Sequence, residues 1–162
     1  MRLDAMYQEI ILDHYRNPHN KGLRDPHNAE AHHINPTCGD EITLRVTLEP
    51  AGGDGGRLDG SAVVRDVSYD SMGCSISQAS ASVLTDLLIG RSVDDGLRTL
   101  DAFTVLMHSK GQGEPDEDVL EDAVAFAGVS KYPARIKCAL LAWMAWKDAT
   151  AQSLEKEKEG AS

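Results

Sequence analysis

The sequence predicts an α+β fold, with an antiparallel sheet covered on one side by helices. Three observations predict it. Glu41–Glu49 alternates apolar and polar residues with a period of two. Leu3–Arg16, Ser75–Ile89 and the stretch after Ser92 space their apolar residues at the helical period. The strand-like segments come first, and most of the helical ones follow them.

In Leu3–Arg16 the apolar stripe is Leu3, Met6, Tyr7, Ile10, Ile11 and Tyr15, and Asn17-Pro18 ends the helix. Asn17–Pro36 carries Pro18, Gly22, Pro26 and Pro36 and is expected to be an ordered loop. In Glu41–Glu49, Ile42, Leu44, Val46 and Leu48 make the buried face. Pro50–Gly56, with four glycines, reads as a hairpin turn. Arg57–Asp70 reads as one bulged strand or two short ones, with a register change near Val63-Val64. Gly90 stops the helix over Ser75–Ile89, and Ser92 caps the next, with Asp95 at its third position. Gly111-Gln112-Gly113 breaks that helix, and Pro115-Asp116-Glu117-Asp118 is an acidic helix start. A long final helix begins near Pro133 and passes Trp146. The expected organisation is a single domain over residues 1–150 and a charged, fraying tail over 151–162.

Apolar residues make up 41% of the 162, enough for a core, and aromatics only 5%, so the core is expected to rest on aliphatic side chains. The formal charge of −10 disfavours phosphate backbones and so excludes nucleic acid as a partner. It would steer the chain toward a basic patch on a protein. Asp4, Glu9 and Asp13 interrupt the first twenty residues, unlike a signal peptide, and the longest apolar run, Ala139–Trp146, is too short for a bilayer. A cytoplasmic chain with no membrane partner is expected. The acidic segment Glu114–Asp122 reads as a solvated helix face, with a docking surface as the alternative.

Three thiols are available, Cys38, Cys74 and Cys138, and none forms a C-x-x-C pair. Cys38 precedes the clean strand, with Gly39 to turn the chain and Asp40 two residues on. Cys74 stands where strand passes into helix, and a helix N-terminus favours a thiolate. Cys138 lies early in the last helix with Arg135 three residues before it, on the same face. Three thiolates and a carboxylate would make a four-coordinate zinc site, and soft sulfur fits zinc or an iron–sulfur cluster rather than magnesium or calcium. On spacing alone, buried core thiols are the favoured reading, because unpaired cysteines are commonly core residues. The six histidines read as surface or hydrogen-bonded residues rather than ligands.

Taken in order, Thr37-Cys38-Gly39-Asp40, Gly73-Cys74-Ser75-Ile76-Ser77 and Ala134-Arg135-Ile136-Lys137-Cys138-Ala139 resemble the IscU/NifU-like family of iron–sulfur cluster assembly proteins. Met6–Pro18 and Gly128–Pro133 are similar to its SufU branch, and the likeness extends to about Asp148. It implies a three-stranded antiparallel sheet with helices on one face, and a metal site of Cys38, Asp40, Cys74 and Cys138. Scaffold members of the family carry a His directly before the third cysteine, where this chain has Lys137. It also has extra sequence within Gly111–Tyr132. Both features match the SufU branch.

That branch implies a zinc-dependent sulfurtransferase with one zinc per chain. It takes persulfide sulfur from a SufS-like cysteine desulfurase, one of whose histidines displaces a cysteine from zinc, and passes the sulfur on to a SufBCD-type scaffold. The resemblance makes Cys38 the sulfur acceptor, and its loop setting agrees, because a loop thiol leaves a site with little loss of packing. Arg135 is expected to steady the thiolates or a persulfide anion, or else to form a surface ion pair. Two alternatives carry the same ligands: a scaffold holding a nascent iron–sulfur cluster, and a zinc-stabilised interaction module without catalysis.

Overall fold

The computed structural model describes residues 2–36, 39–52, 56–113 and 115–160, without the side chains of 2–4 and 156–160. Its sheet has three antiparallel strands in the order β1-β2-β3: β1 Ala29–Asn35, β2 Asp40–Glu49 and β3 Val63–Met72. The predicted alternation in β2 is observed: Ile42, Leu44, Val46 and Leu48 are buried and the residues between them half-buried. One face of the sheet is therefore committed to the core.

β1 corrects the expectation of an uninterrupted loop over Asn17–Pro36. Pairing with β2 from Ala29↔Val46 to Asn35↔Asp40 makes this stretch a strand. Its own alternation is weak because small alanines, Ala29 and Ala31, are the inward residues. The expected register change also exists, slightly displaced. Thr47 pairs with Asp66 and Leu48 with Val64, so Arg65 is the extra residue of a β-bulge.

The helices are α1 Arg2–Arg16, α2 Ser75–Leu88, α3 Val93–Met107, a single turn α4 Glu117–Leu120, and α5 Pro133–Gly160. A 3₁₀ segment, Glu121–Lys131, leads into α5. α5 packs on β1 and β2, and α2 packs on β3 and against α1 and α5. The backbone from residue 151, set apart by composition as a tail, is helical to Gly160, with Ser153 buried. Ser92 caps α3 by accepting the Asp95 N–H at 3.1 Å. Among the described residues, no helix is long and apolar enough to cross a membrane.

Aromatic side chains carry more of the core than their number suggests. Trp143, Trp146, Phe103, Phe126 and Tyr69 are all fully buried. Trp143 stacks on Phe103 with ring centres 4.5 Å apart, and Phe126 meets Phe103 edge-on. Trp143 Nε1 donates to Ser80 Oγ at 3.0 Å, and Ser80 Oγ donates to the Ala139 carbonyl at 2.6 Å. That chain fixes α5 to α2 beside Cys138, so the core also sets the height at which Cys138 meets α2.

Candidate metal centre

One end of the sheet gathers Asp40, Cys74 and Cys138. Asn35 closes β1 opposite Asp40, and Met72 ends β3 opposite Glu41. Gly39 N–H donates to the Asn35 carbonyl at 2.9 Å, tightening the turn between the two strands. Gly73 then turns the chain with a φ of +145°, and Cys74 becomes the N-cap of α2. α5 crosses this end of the sheet with Cys138 in its second turn.

Asp40 is wholly buried at the centre of the group. Its Oδ1 accepts from the Cys74 backbone N–H at 3.0 Å and from the Ser77 hydroxyl at 3.3 Å. A carboxylate on the first N–H groups of a helix is favoured by the helix dipole as well as by the hydrogen bond. Cys74 supplies no side-chain cap of its own, so Asp40 fills that place from another segment. The approach needs glycine at 73. A Cβ there would run into Asp40 Oδ1 and stand 3.0 Å from Ser77 Oγ.

Asp40 Oδ2 is buried with no hydrogen-bond partner among the described residues. A desolvated carboxylate oxygen without a donor or cation is costly, and such atoms are rare in folded proteins. The side-chain ligand atoms of Asp40, Cys74 and Cys138 lie within 4.8 Å of one another. Zinc bonds to sulfur and oxygen set ligand atoms about 3.5–3.8 Å apart in a tetrahedron, so a small closing of the side chains would suffice. The donor set, two soft sulfurs and one oxygen, fits zinc, and a cation would satisfy the orphaned oxygen.

Cys138 is fully buried, with Asn35 Nδ2 directed at its Sγ from 3.8 Å and the Ala134 carbonyl 3.6 Å away. Cys74 is half-buried. Arg135 is exposed, one turn before Cys138, and reaches both thiols. Cys74 first, and Cys138 second, push its guanidinium further above the ordinary arginine value. Cys38, the remaining predicted ligand, lies outside the described residues.

The predicted residues Asp40, Cys74, Cys138 and Arg135 thus come together. Lys137, next in sequence to Cys138, is exposed. The histidines have other partners: His32 meets Thr43 and Glu41, His33 meets Asp148, and His108 bonds the Thr104 carbonyl. Part of the acidic segment is also engaged. Glu121 pairs with Arg91, Asp122 bonds His14, and Asp116 caps Asp118 N–H. Sequence reasoning missed Asn35, Gly73 and Ser77 as supporting residues. Their only signal was adjacency to the cysteine motifs, and no periodicity marks them. Arg135 also lines a cavity of about 350 Å³, with Tyr7, Ile11, Ile76, Val129 and Tyr132.

Residues 6–139 match the NifU-like N-terminal domain family. The chain is 41% identical over 152 residues to the zinc-dependent sulfurtransferase SufU of Bacillus subtilis, covering 93% of this chain and 92% of that protein. It is 37% identical to the iron–sulfur cluster assembly scaffold protein IscU of Streptococcus pyogenes, covering 94% and 87%. Among solved structures, an iron–sulfur cluster assembly scaffold protein for the SUF system from Fervidobacterium islandicum superposes with a TM-score of 0.70 at 30% identity. The match covers 88% of this chain and 94% of that one.

Proposed function

This chain belongs to the NifU-like N-terminal domain family of iron–sulfur cluster assembly proteins, and from that membership we propose that it is a zinc-dependent sulfurtransferase. It accepts persulfide sulfur at Cys38 from a SufS-like cysteine desulfurase and hands it to a SufBCD-type scaffold. One zinc per chain is held by Cys38, Asp40, Cys74 and Cys138. The observation that carries the reading is the orphaned buried oxygen of Asp40 beside two thiols.

When bound, zinc keeps coordinating thiols deprotonated. The protein's own residues do the rest. Asp40, fixed through Oδ1 by Cys74 N–H and Ser77, keeps a buried second oxygen with no hydrogen-bond partner among the described residues, available to a cation shared with the thiols. Asn35 directs an N–H at Cys138, which is buried in a helix and stays put. Arg135 places a permanent positive charge beside the thiols, where a persulfide anion would be steadied. In the transfer, the Cys38 thiolate attacks the outer sulfur of the donor's persulfide. A new sulfur–sulfur bond forms on Cys38, the donor's sulfur–sulfur bond breaks, and the donor cysteine leaves as its thiolate. Electrons balance without an added oxidant or reductant.

The test is reconstitution with a SufS-like desulfurase and cysteine, followed by peptide mass spectrometry without reductant. The expected result is faster desulfurase turnover and one added sulfur on the peptide holding Cys38, both abolished in Cys38→Ser. Added sulfur on Cys74 or Cys138 alone would move the acceptor. The scaffold reading has support in the names of the Streptococcus and Fervidobacterium relatives. It predicts a brown cluster after iron addition instead. If neither is seen, the reading that remains is a zinc-stabilised interaction module without catalysis.

A further inference from the structure

A second group of ligand-type side chains lies away from the cysteines, where the end of α1 and the chain after it meet α2. His14, in the last turn of α1, is almost wholly buried. His19 follows the helix and Asp86 lies on α2, and both are exposed. His19 Nδ1 is 2.5 Å from Asp86 Oδ2, and the two imidazole centres are 4.8 Å apart. One ligand atom from each of the three residues lies within 4.8 Å of the others.

The surroundings of His14 prepare one of its nitrogens to bind. Nε2 is 3.0 Å from Asp122 Oδ2. A carboxylate only accepts, so Nε2 carries the proton, and in the neutral ring Nδ1 keeps its lone pair. Carboxylate–histidine pairs of this kind orient metal-binding imidazoles and raise their basicity. Nδ1 faces Ser82 Oγ at 2.7 Å. That oxygen accepts the His19 backbone N–H at 2.8 Å and, with Nε2 carrying the ring proton, donates its own proton to Nδ1.

A cation taking Nδ1 would displace the Ser82 proton, and a second acceptor stands ready. The Tyr69 hydroxyl is completely buried and has no hydrogen-bond partner among the described residues. Burial pushes it up to about 12, the nearby Ser82 hydroxyl pulls back in part, and Asp86 adds to the rise, so both neighbours lie beside it. Turning the Ser82 hydroxyl toward Tyr69 would give that oxygen the partner it lacks.

We propose that His14, His19 and Asp86 form a second metal site, for a divalent transition cation of the zinc class, clamping the chain after α1 to α2. Two imidazoles and one carboxylate suit zinc or cobalt, with a fourth place open to water. Without the cation, the His19–Asp86 pair is an exposed side-chain contact of little stabilising worth.

Cobalt titration of the reduced, metal-stripped chain tests this, because cobalt bound to thiolate shows strong charge-transfer bands in the near ultraviolet and cobalt bound to nitrogen and oxygen does not. Two equivalents are expected, one with charge-transfer bands and one with d–d absorption alone. His19→Ala and Asp86→Asn should each lose the second equivalent and keep the first. Both positions are exposed, so the variants are expected to fold. Absence of an equivalent lacking charge transfer in the parent chain under excess cobalt would overturn the proposal. So would its persistence in both variants. Failure of the cysteine site would instead remove the charge-transfer equivalent, so the two outcomes are separable.

Discussion

Replacing Gly73 by alanine places a Cβ where the Asp40 carboxylate lies, and at a φ of +145°. Holding a side-chain-bearing residue in such a backbone region costs about 1–3 kcal/mol. The carboxylate cannot remain in place, so Oδ1 gives up the Cys74 N–H, a hydrogen bond to a charged acceptor worth about 1.5–3 kcal/mol. Together the variant should lose about 2.5–6 kcal/mol, and at 2–4 °C per kcal/mol for a chain of this size it should melt roughly 5–24 °C lower. Thermal unfolding of metal-stripped protein by circular dichroism measures this, and a chelator challenge of the loaded protein measures the accompanying loss of zinc. Gly128→Ala is the control, since a Cβ there meets nothing within 4 Å and its φ is unstrained, so it should stay within about 0.5 kcal/mol. A Gly73→Ala variant melting within about 2 °C of the parent, with zinc held as tightly, would refute the packing of Asp40 against residue 73.

Removing the metal should lower stability, because the ligands come from segments that only the fold brings together. At a free zinc concentration a hundred times its dissociation constant, the difference is about 2.7 kcal/mol, read by calorimetry with and without chelator and reversed by added zinc. Arg135→Ala should leave the melting temperature nearly unchanged, as an exposed substitution, while slowing sulfur transfer, with Arg135→Lys recovering part of the rate. Unaltered stimulation of the desulfurase in Arg135→Ala would reduce this residue to a surface cation.

Local signals carried the fold where one residue's choice depends on its near neighbours. β2 was legible because its inward residues are large and its outward ones polar, and the Ser92 cap and Gly90 stop need only a few residues to be read. β1 was not legible, because its inward alanines differ little from their neighbours until β2 supplies the pairing. The 3₁₀ segment was missed for a related reason. Ala123, Val124, Ala125 and Phe126 are buried consecutively, which leaves no polar face to set a period. At the centre, the identity of the thiols and of Asp40 was legible from motifs. The convergence of Asp40, Cys74 and Cys138 is a property of the topology: the start of β2, the end of β3 and the second turn of α5 meet only because β2 lies between β1 and β3 and α5 crosses two strands.

The geometry changes what is expected of Asp40. By donor type alone it is a hard oxygen among soft sulfurs, a ligand whose loss would be expected to leave the fold intact. In the structure its two oxygens have separate tasks. Oδ1 caps α2 through the Cys74 N–H and Ser77, and Oδ2 is the buried atom without a hydrogen-bond partner among the described residues, which the proposed site assigns to the cation. Alanine at 40 removes both tasks, leaving the half-buried Cys74 N–H without its acceptor at a cost of about 1 kcal/mol before any metal is considered. Asparagine separates them. Its carbonyl oxygen still accepts the Cys74 N–H, while its amide nitrogen stands where Oδ2 was and cannot bind a cation. Metal-stripped Asp40→Asn should therefore melt close to the parent and Asp40→Ala below it, whereas both should surrender zinc to a chelator that the parent resists. Calorimetry on stripped protein and a chelator titration on loaded protein read the two effects apart. If Asp40→Asn retained zinc like the parent, Oδ2 would not be a ligand. If Asp40→Ala melted like the parent, the cap on α2 would contribute nothing.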